Sequence, residues 1–276
     1  MSIKYGYLGP VGTFTEAALQ KIASSDDQLI AYANVTAALE AVRKGDCQKA
    51  LVPIENSVEG VVARTLDELA SGEPLLITQE VTLPVSFALL TLPATDPKDI
   101  KSIATHPHAE SQCRSFIAKN YPTAQIIETP STAAAAKGLA NKDYEAAIAG
   151  INAAKNYNLK IITEDIGDNQ AAVTRFVVVE KPGRKVGATG KDRTSLAVFI
   201  AIDHAGALLE ILNEFAKHQV NLTFIQSRPT GSQLGHYHFI IDAEGHIEDA
   251  PISAALAGLK QICEDIRFLG SYPQAK

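Results

Sequence analysis

The segment Lys181-Pro-Gly-Arg-Lys-Val-Gly-Ala-Thr-Gly-Lys-Asp-Arg193 divides the chain. It holds three glycines, one proline and five Lys/Arg in thirteen residues, with no apolar periodicity. Such a stretch reads as an exposed linker and forces the chain to fold on either side of it. Before it, short apolar runs (Lys4–Leu8, Lys49–Val52, Leu75–Val81, Ile100–Ala104, Gln125–Glu128, Ala146–Ala149, Lys160–Thr163, Arg175–Glu180) alternate with helical patterns at Thr15–Ile22, Val35–Lys44, Val61–Ala70, His108–Asn120 and Thr132–Ala140. Alternating β and α segments predict an α/β fold with one or two doubly wound parallel sheets. The Pro-bracketed Glu80–Pro93 stretch reads as a crossing into a second lobe, and Arg175–Glu180 as the return. The expected organisation is a two-lobed domain over 1–183 (lobe 1 about 1–80 and 174–183, lobe 2 about 81–173), a linker over 184–193 and a second domain over 194–276.

After the linker the pattern is β-α-β-β-α-β, the ferredoxin-like order. Leu196, Val198, Ile200 and Ile202 alternate as a half-buried strand should. Leu208, Ile211, Leu212 and Phe215 make one helix face, and Ile252, Leu256, Leu259 and Cys263 a second. Asn221–Ser227 and Gly235–Asp242 form a strand pair, on which His236 and His238 are expected on a solvated face.

Charge narrows the partners. The chain has 25 Lys/Arg against 31 Asp/Glu, a net charge of −6. Residues 1–183 carry 16 basic and 21 acidic side chains, 184–193 carry 4 and 1, and 194–276 carry 5 and 9. Two acidic domains on a basic tether do not present the phosphate-neutralising face of a nucleic-acid binder. Gly187-Ala-Thr-Gly-Lys-Asp192 echoes a phosphate loop, but Asp192 stands where Ser or Thr should hold magnesium and no strand leads in. The three cysteines, Cys47, Cys113 and Cys263, are dispersed and form no CxxC pair, as expected in a reducing compartment. Val81–Ala94, the most apolar stretch, is about half a membrane span and carries Pro84 and Pro93. With no signal-peptide run at the start, a cytoplasmic protein away from membranes is expected.

Chemistry gathers where strands meet helices. Tyr7-Leu-Gly-Pro-Val-Gly-Thr-Phe-Thr-Glu16 is strand, glycine-rich turn and helix start; Thr13 and Glu16 fit a capping box, and free N–H groups there favour an anion. Val52-Pro-Ile-Glu-Asn-Ser-Val-Glu-Gly60 repeats the design: Asn56 and Ser57 are candidate caps, and Glu55 and Glu59 are either surface carboxylates or an acid/base pair. Ala104-Thr-His-Pro-His-Ala109 and Thr129-Pro-Ser-Thr-Ala133 bring imidazoles and hydroxyls to helix starts. His106-x-His108 lacks a third ligand at a matching offset, so no metal is expected. Arg175, in Gly167–Phe176, is either a bidentate carboxylate clamp or a surface ion-pair partner. Together these strand ends predict a polar, anion-binding cleft needing neither metal nor nucleotide. A sensor or carrier on the same cleft is the reading of a different class.

The residues also resemble a known family. Gly9–Glu16, Pro53-Ile-Glu-Asn-Ser57 with Glu59-Gly60, Thr105-His-Pro-His108 with Gln112-Cys113, and Thr174-Arg-Phe176 are similar to the motifs of prephenate dehydratase. The tail resembles that family's ACT domain through Gly206-Ala-Leu208, Ser227-Arg-Pro229, Gly235–Asp242 and Gly245-His246. The resemblance spans nearly the whole chain, in order. It implies a catalytic domain like type II periplasmic binding proteins, decarboxylative dehydration of prephenate to phenylpyruvate without a cofactor, L-phenylalanine as feedback effector, and a homodimer or homotetramer. It implies Thr174 as the catalytic residue, with Thr13, Asn56, Ser57, Glu59, Thr132, Arg175 and Phe176 in the substrate cleft. It implies Ala207, Leu208, Asn221 and Leu222 in the phenylalanine pocket. Two departures stand out: Ala172 replaces the usual Asn two residues before the catalytic Thr, and Gln226 replaces the usual Glu before Ser227. Arogenate, the amino analogue, is the closest rival substrate.

Overall fold

The structure, a computed structural model, describes residues 2–200, 204–230 and 237–275. Ile202, Gly235 and His236, invoked above, lie outside the described residues. Fifteen described strands form three sheets. The first has six strands: β1 (Lys4–Leu8), β2 (Gln28–Tyr32), β3 (Lys49–Asn56), β4 (Gly60–Val61), β5 (Leu76–Pro84) and β11 (Val173–Glu180). Its order is β2-β1-β3-β11-β5, with β4 paired to β3. The second has β6 (Ala88–Thr91), β7 (Ser102–Thr105), β8 (Gln125–Glu128), β9 (Ala146–Ala149) and β10 (Lys160–Thr163), in the order β10-β6-β9-β7-β8. The third has β12 (Asp192–Ile200), β13 (Leu222–Pro229), β14 (Tyr237–Glu244) and β15 (Cys263–Pro273), in the order β13-β14-β12-β15.

Both α/β sheets are mixed rather than purely parallel. β1 runs parallel to β2, and β7 parallel to β8 and β9, but β4 pairs antiparallel with β3 and β6 pairs antiparallel with β9 and β10. The Pro-bracketed stretch is the crossing: β5 belongs to the first sheet and β6, a few residues on, to the second. β2, β6 and the helix over Ile151–Asn156 escape the sequence reading, each a short segment without clear periodicity.

The helices are α1 (Phe14–Gln20), α2 (Val35–Lys44), α3 (Ala63–Ser71), α4 (Pro107–Gln112), α5 (Arg114–Asn120), α6 (Thr132–Gly138), α7 (Ile151–Asn156), α8 (Ala207–Lys217) and α9 (Ala250–Ile262). One helix is expected over His108–Asn120, but the chain breaks at Cys113, whose φ of −120° and ψ of 15° are not helical. The described chain divides into two compact units: Met1–Ala38 with Leu51–Val62 and Thr82–Phe176, and Leu39–Ala50 with Ala63–Val81 and Val177–Lys276. The first holds the core of Val85, Phe87, Leu89, Ile103, Cys113 and Ile148, and an alanine-rich core around Ala104, Ala136, Leu139 and Ala149. The second holds the core of Leu196, Val198, Ile211, Phe215, Ile241 and Leu259 between the antiparallel sheet and α8 and α9.

Two expectations fail in the C-terminal sheet. Leu208 is 36% exposed, because the helix turns Ala207, Ile211 and Phe215 inward instead. His238 is 3% exposed and stacks on Phe199 with ring centroids 5.0 Å apart, whereas Tyr237 faces outward. Neither face of β14 is solvated along its length: Phe239, Ile241 and Ala243, on the Tyr237 side, are buried in the core, and only Tyr237 and Glu244 at the strand ends are exposed. Neither His238 ring nitrogen has a hydrogen-bond partner among the described residues. Burial holds its imidazole below the ordinary histidine range, with Arg228 adding to the shift and Asp67 opposing it. A depressed histidine favours the folded state above the unfolded pKa of about 6.5, and that contribution disappears as pH falls through it towards the folded value. The unfolding midpoint is expected to drop between about pH 7 and pH 5, and H238Q to flatten that slope in calorimetric scans at a series of pH values.

Candidate active site

A cavity of about 910 Å³ lies within the first unit, lined by Thr13, Phe14, Pro53, Ser131, Thr132, Lys137, Asn141, Tyr157, Thr174 and Phe176 among others. Four expected site residues (Thr13, Thr132, Thr174 and Phe176) therefore meet on one wall system, although they lie up to 163 positions apart. β11 supplies alternate residues, Thr174 and Phe176, as the period of a strand requires. Arg175 is not among the lining residues; its Nε lies 3.3 Å from Glu55 Oε2, and it is buried. The cation that lines the cavity is Lys137, at the end of α6, which no strand-end signal announces. Asn141 and Tyr157 escape the sequence reading for the same reason.

The turn after β3 is pinned to β11. Ser57 donates its N–H to the Val173 carbonyl and its Oγ accepts the Val173 N–H, both at 2.9 Å. Asn56 Oδ1 accepts the N–H groups of Val58 at 2.9 Å and Glu59 at 3.0 Å, closing a turn rather than capping a helix. With its oxygen committed there, the amide Nδ2 points at Thr174 Oγ1 and donates at 2.8 Å. The Thr174 hydroxyl thus receives a hydrogen bond, and no described residue accepts the proton it carries. Glu59 extends the network: Gln112 Nε2 donates to its Oε1 at 3.0 Å, and His108 Nδ1 lies 3.5 Å from Oε2. His106 caps α4 by accepting the His108 N–H. Burial depresses the His106 imidazole and His108 adds to that, against Glu59 and Glu128. Among the described residues no group of three or more His, Cys, Asp or Glu side chains is placed to hold a metal ion.

The glycine-rich turn is organised by Glu16, which is buried. Its carboxylate accepts from the Gly12 N–H at 2.6 Å, Asn156 Nδ2 at 2.9 Å and the Tyr7 hydroxyl at 3.3 Å. Burial, then the Glu16 charge, raises the Tyr7 phenol. Thr13 Oγ1 accepts the Glu16 N–H at 3.3 Å and donates to the Leu8 carbonyl at 3.1 Å. The Thr13 half of the capping box is present, while Glu16 reaches back to Gly12 instead of Thr13. Gly12 needs its φ of +90°, and an added Cβ would meet Tyr157 at 3.0 Å. Ser131 caps α6 through the Ala134 N–H at 3.0 Å, leaving Thr132 to line the cavity.

Two replacements noted above have local explanations. Ala172 is buried in the apolar core beside Phe87 and Ile166, where an amide would need partners. Gln226 turns its Nε2 onto the Ser227 carbonyl at 3.0 Å. At the start of α8 Ala207 is buried and Leu208 exposed; where β13 begins, Asn221 is exposed and Leu222 half-buried. Gly187–Asp192 holds no anion pocket: the Asp192 carboxylate accepts from the Thr189 hydroxyl and from the Thr189 and Gly190 N–H groups.

Two mixed sheets carrying a hydroxyl-lined cavity, followed by an antiparallel β-α-β-β-α-β sheet, define the class of α/β chains that carry a C-terminal ACT module. A family model described as prephenate dehydratase matches residues 5–184, and one described as ACT domain matches residues 194–261. The prephenate dehydratase of Amycolatopsis methanolica is 42% identical over 273 residues, covering 99% of this chain and 89% of that protein. Among solved structures, prephenate dehydratase from Arthrobacter aurescens in complex with L-Phe is 48% identical, covers 99% of this chain and 90% of its own, and superposes with a TM-score of 0.94. GqqA, described as a novel type of quorum quenching acylase, is 26% identical, covers 98% of this chain and 97% of its own, and has a TM-score of 0.86. The chain belongs to the prephenate dehydratase family.

Because two buried donors, the Gly12 N–H and the Tyr7 hydroxyl, depend on one carboxylate, E16A is expected to lower stability by about 1–3 kcal/mol, read as a shift in the urea midpoint at unchanged slope.

Proposed function

We propose that the 910 Å³ cavity binds prephenate and that Thr174 acts on its departing hydroxyl. The observation that carries this reading is the Asn56–Thr174 hydrogen bond. Because Asn56 donates to Oγ1, the Thr174 proton is available to a ligand, and the hydroxyl acts as a directed donor. In the reaction, the bond from the ring to its carboxylate breaks and CO2 leaves. Its electron pair enters the ring as the C4–O bond breaks, and the departing hydroxide takes a proton to become water. Aromatisation supplies much of the driving force, so the chain needs only to hold a dianion and stabilise the leaving oxygen. A threonine hydroxyl is too weak an acid to ionise fully, so a hydrogen bond, with proton relay from solvent, is its role.

The Lys137 ammonium, with the Ser131 and Thr132 hydroxyls, meets the substrate carboxylates, Phe176 supports the ring, and Thr13, whose proton goes to the Leu8 carbonyl, shapes the wall beside them. Helices α1 and α6, which open on the cavity, have seven residues each, so these side chains outweigh any axial dipole. Ser57 and Glu59 hold the turn that orients Asn56, and Arg175, held against Glu55, supports β11 from its other side.

The C-terminal sheet is the receptor for L-phenylalanine, which lowers turnover. Ala207, Leu208, Asn221 and Leu222 contribute to that pocket. Leu208, Leu209, Ile225 and Tyr237, all exposed, support its completion by a second copy in a homodimer or homotetramer. The protein works in the cytoplasm; among the described residues no helix is long and apolar enough to cross a membrane.

Purified protein supplied with prephenate is expected to release phenylpyruvate faster than it converts arogenate to phenylalanine. Failure to turn over either substrate would leave a sensor. T174A should lose about 10²–10³ in kcat, and T174S, which keeps the hydroxyl, should lose far less. An unchanged kcat in T174A with a raised KM would make Thr174 a binding residue only. Added L-phenylalanine should lower the rate, and an indifferent enzyme would remove the effector reading.

A further inference from the structure

Helix α3 takes no part in the chemistry above, yet it begins two residues after β4 and the Asn56–Gly60 turn. Its Thr65, Leu66, Leu69 and Ala70 are buried, Arg43 of α2 binds Glu68, and two arginines of the C-terminal sheet hold Asp67 and the C-terminal carbonyls. Arg228, in the Ser227-Arg228-Pro229 triplet on β13, donates through Nε to Asp67 Oδ1 and through Nη2 to Oδ2, both at 2.8 Å. Arg267, on β15, donates from Nη1 to the Gly72 carbonyl at 2.6 Å and reaches the Leu69 carbonyl at 3.5 Å. One cation therefore forks onto a carboxylate at mid-helix, and another occupies the carbonyls that a helix end leaves without intrahelical partners.

The Asp67 and Arg228 side chains are 35% and 22% exposed, so the pair adds little to stability. Its geometry is directional all the same, because a planar fork on two oxygens fixes orientation where a single charge would not. His238, the cross-strand partner of Arg228, is buried with no hydrogen bond to either ring nitrogen among the described residues, so while neutral it leaves Asp67 to Arg228.

We propose that Asp67 is a positioning residue: its bidentate pair with Arg228 couples the C-terminal sheet to α3, and through α3 to the turn in which Asn56 orients Thr174. The proposal rests on the phenylalanine reading of the C-terminal sheet. Effector binding biases the position of β13, Arg228 carries that bias to the helix, and the helix transmits it along the chain to a turn only two residues away. A packed helix moves as a body, so a small displacement at Asp67 reaches the first residue of α3, Ala63, two residues along the chain from β4. Asp67 lies outside the matched ACT region, so the calorimetric titration decides whether its replacement touches the effector pocket.

The test uses D67N in the full chain, with prephenate turnover titrated against L-phenylalanine and effector binding followed by calorimetry. Without effector, kcat is expected within about threefold of wild type, the scale of a surface substitution. Phenylalanine should still bind, while the factor by which it alters turnover falls by about fivefold or more. The charge-reversed pair D67R/R228D should regain part of the response that D67N lacks. Inhibition of D67N as complete as that of wild type overturns the coupling, and so does loss of phenylalanine binding in D67N, which would place Asp67 in the effector pocket. A wild type that neither binds nor responds to phenylalanine removes the effector reading, and the coupling falls with it; a responsive wild type beside an equally responsive D67N removes the coupling alone.

Discussion

The side-chain amide of Asn56 sets the direction of the Thr174 hydroxyl at the cavity wall. Its oxygen is held by two backbone N–H groups of its own turn, so its nitrogen has to face β11. That constraint decides which way the Thr174 hydroxyl proton points, since Oγ1 already accepts a hydrogen bond. The orientation holds only because Ser57 and Val173 exchange two hydrogen bonds and lock turn to strand. A donor whose direction is settled before substrate arrives needs no reorganisation during reaction, which is the property electrostatic catalysis requires.

Around this point the first unit is tied together by polar groups rather than apolar area alone. Glu16 gathers donors from β1, the glycine-rich turn and α7 onto one buried carboxylate. Asn152 donates to the Thr13 carbonyl from the same helix. The cavity walls carry hydroxyls and an ammonium, although the chain as a whole carries a charge of −6. Net charge is screened within about 8–10 Å at physiological salt, so local donors decide whether an anion binds.

Much of the architecture was legible beforehand. The strands at Lys4–Leu8, Gln125–Glu128, Ala146–Ala149 and Lys160–Thr163 and the helix at Val35–Lys44 have the bounds their apolar periodicity predicts, because each packs one regular face on a core. The β-α-β-β-α-β tail was equally plain. β2, β6 and α7 were not, being short and held by neighbours. Polarity misled at His238, which stacks on Phe199 in a buried position, and at Leu208, which faces outward. Periodicity reports which residues alternate, but not which side the rest of the protein covers.

The sequence by itself determined the alternation of elements and the hydroxyl-bearing strand ends, because these follow from local spacing and turn chemistry. Tertiary structure alone decided that Asn56 meets Thr174 across 118 positions, that Lys137 rather than Arg175 lines the cavity, and that Asp67 is gripped by Arg228 across 161 positions. Spacing along the chain specifies which face a residue occupies on its own strand or helix. Which face looks into a cavity, and which distant group meets it, depends on sheet order and on what covers each side.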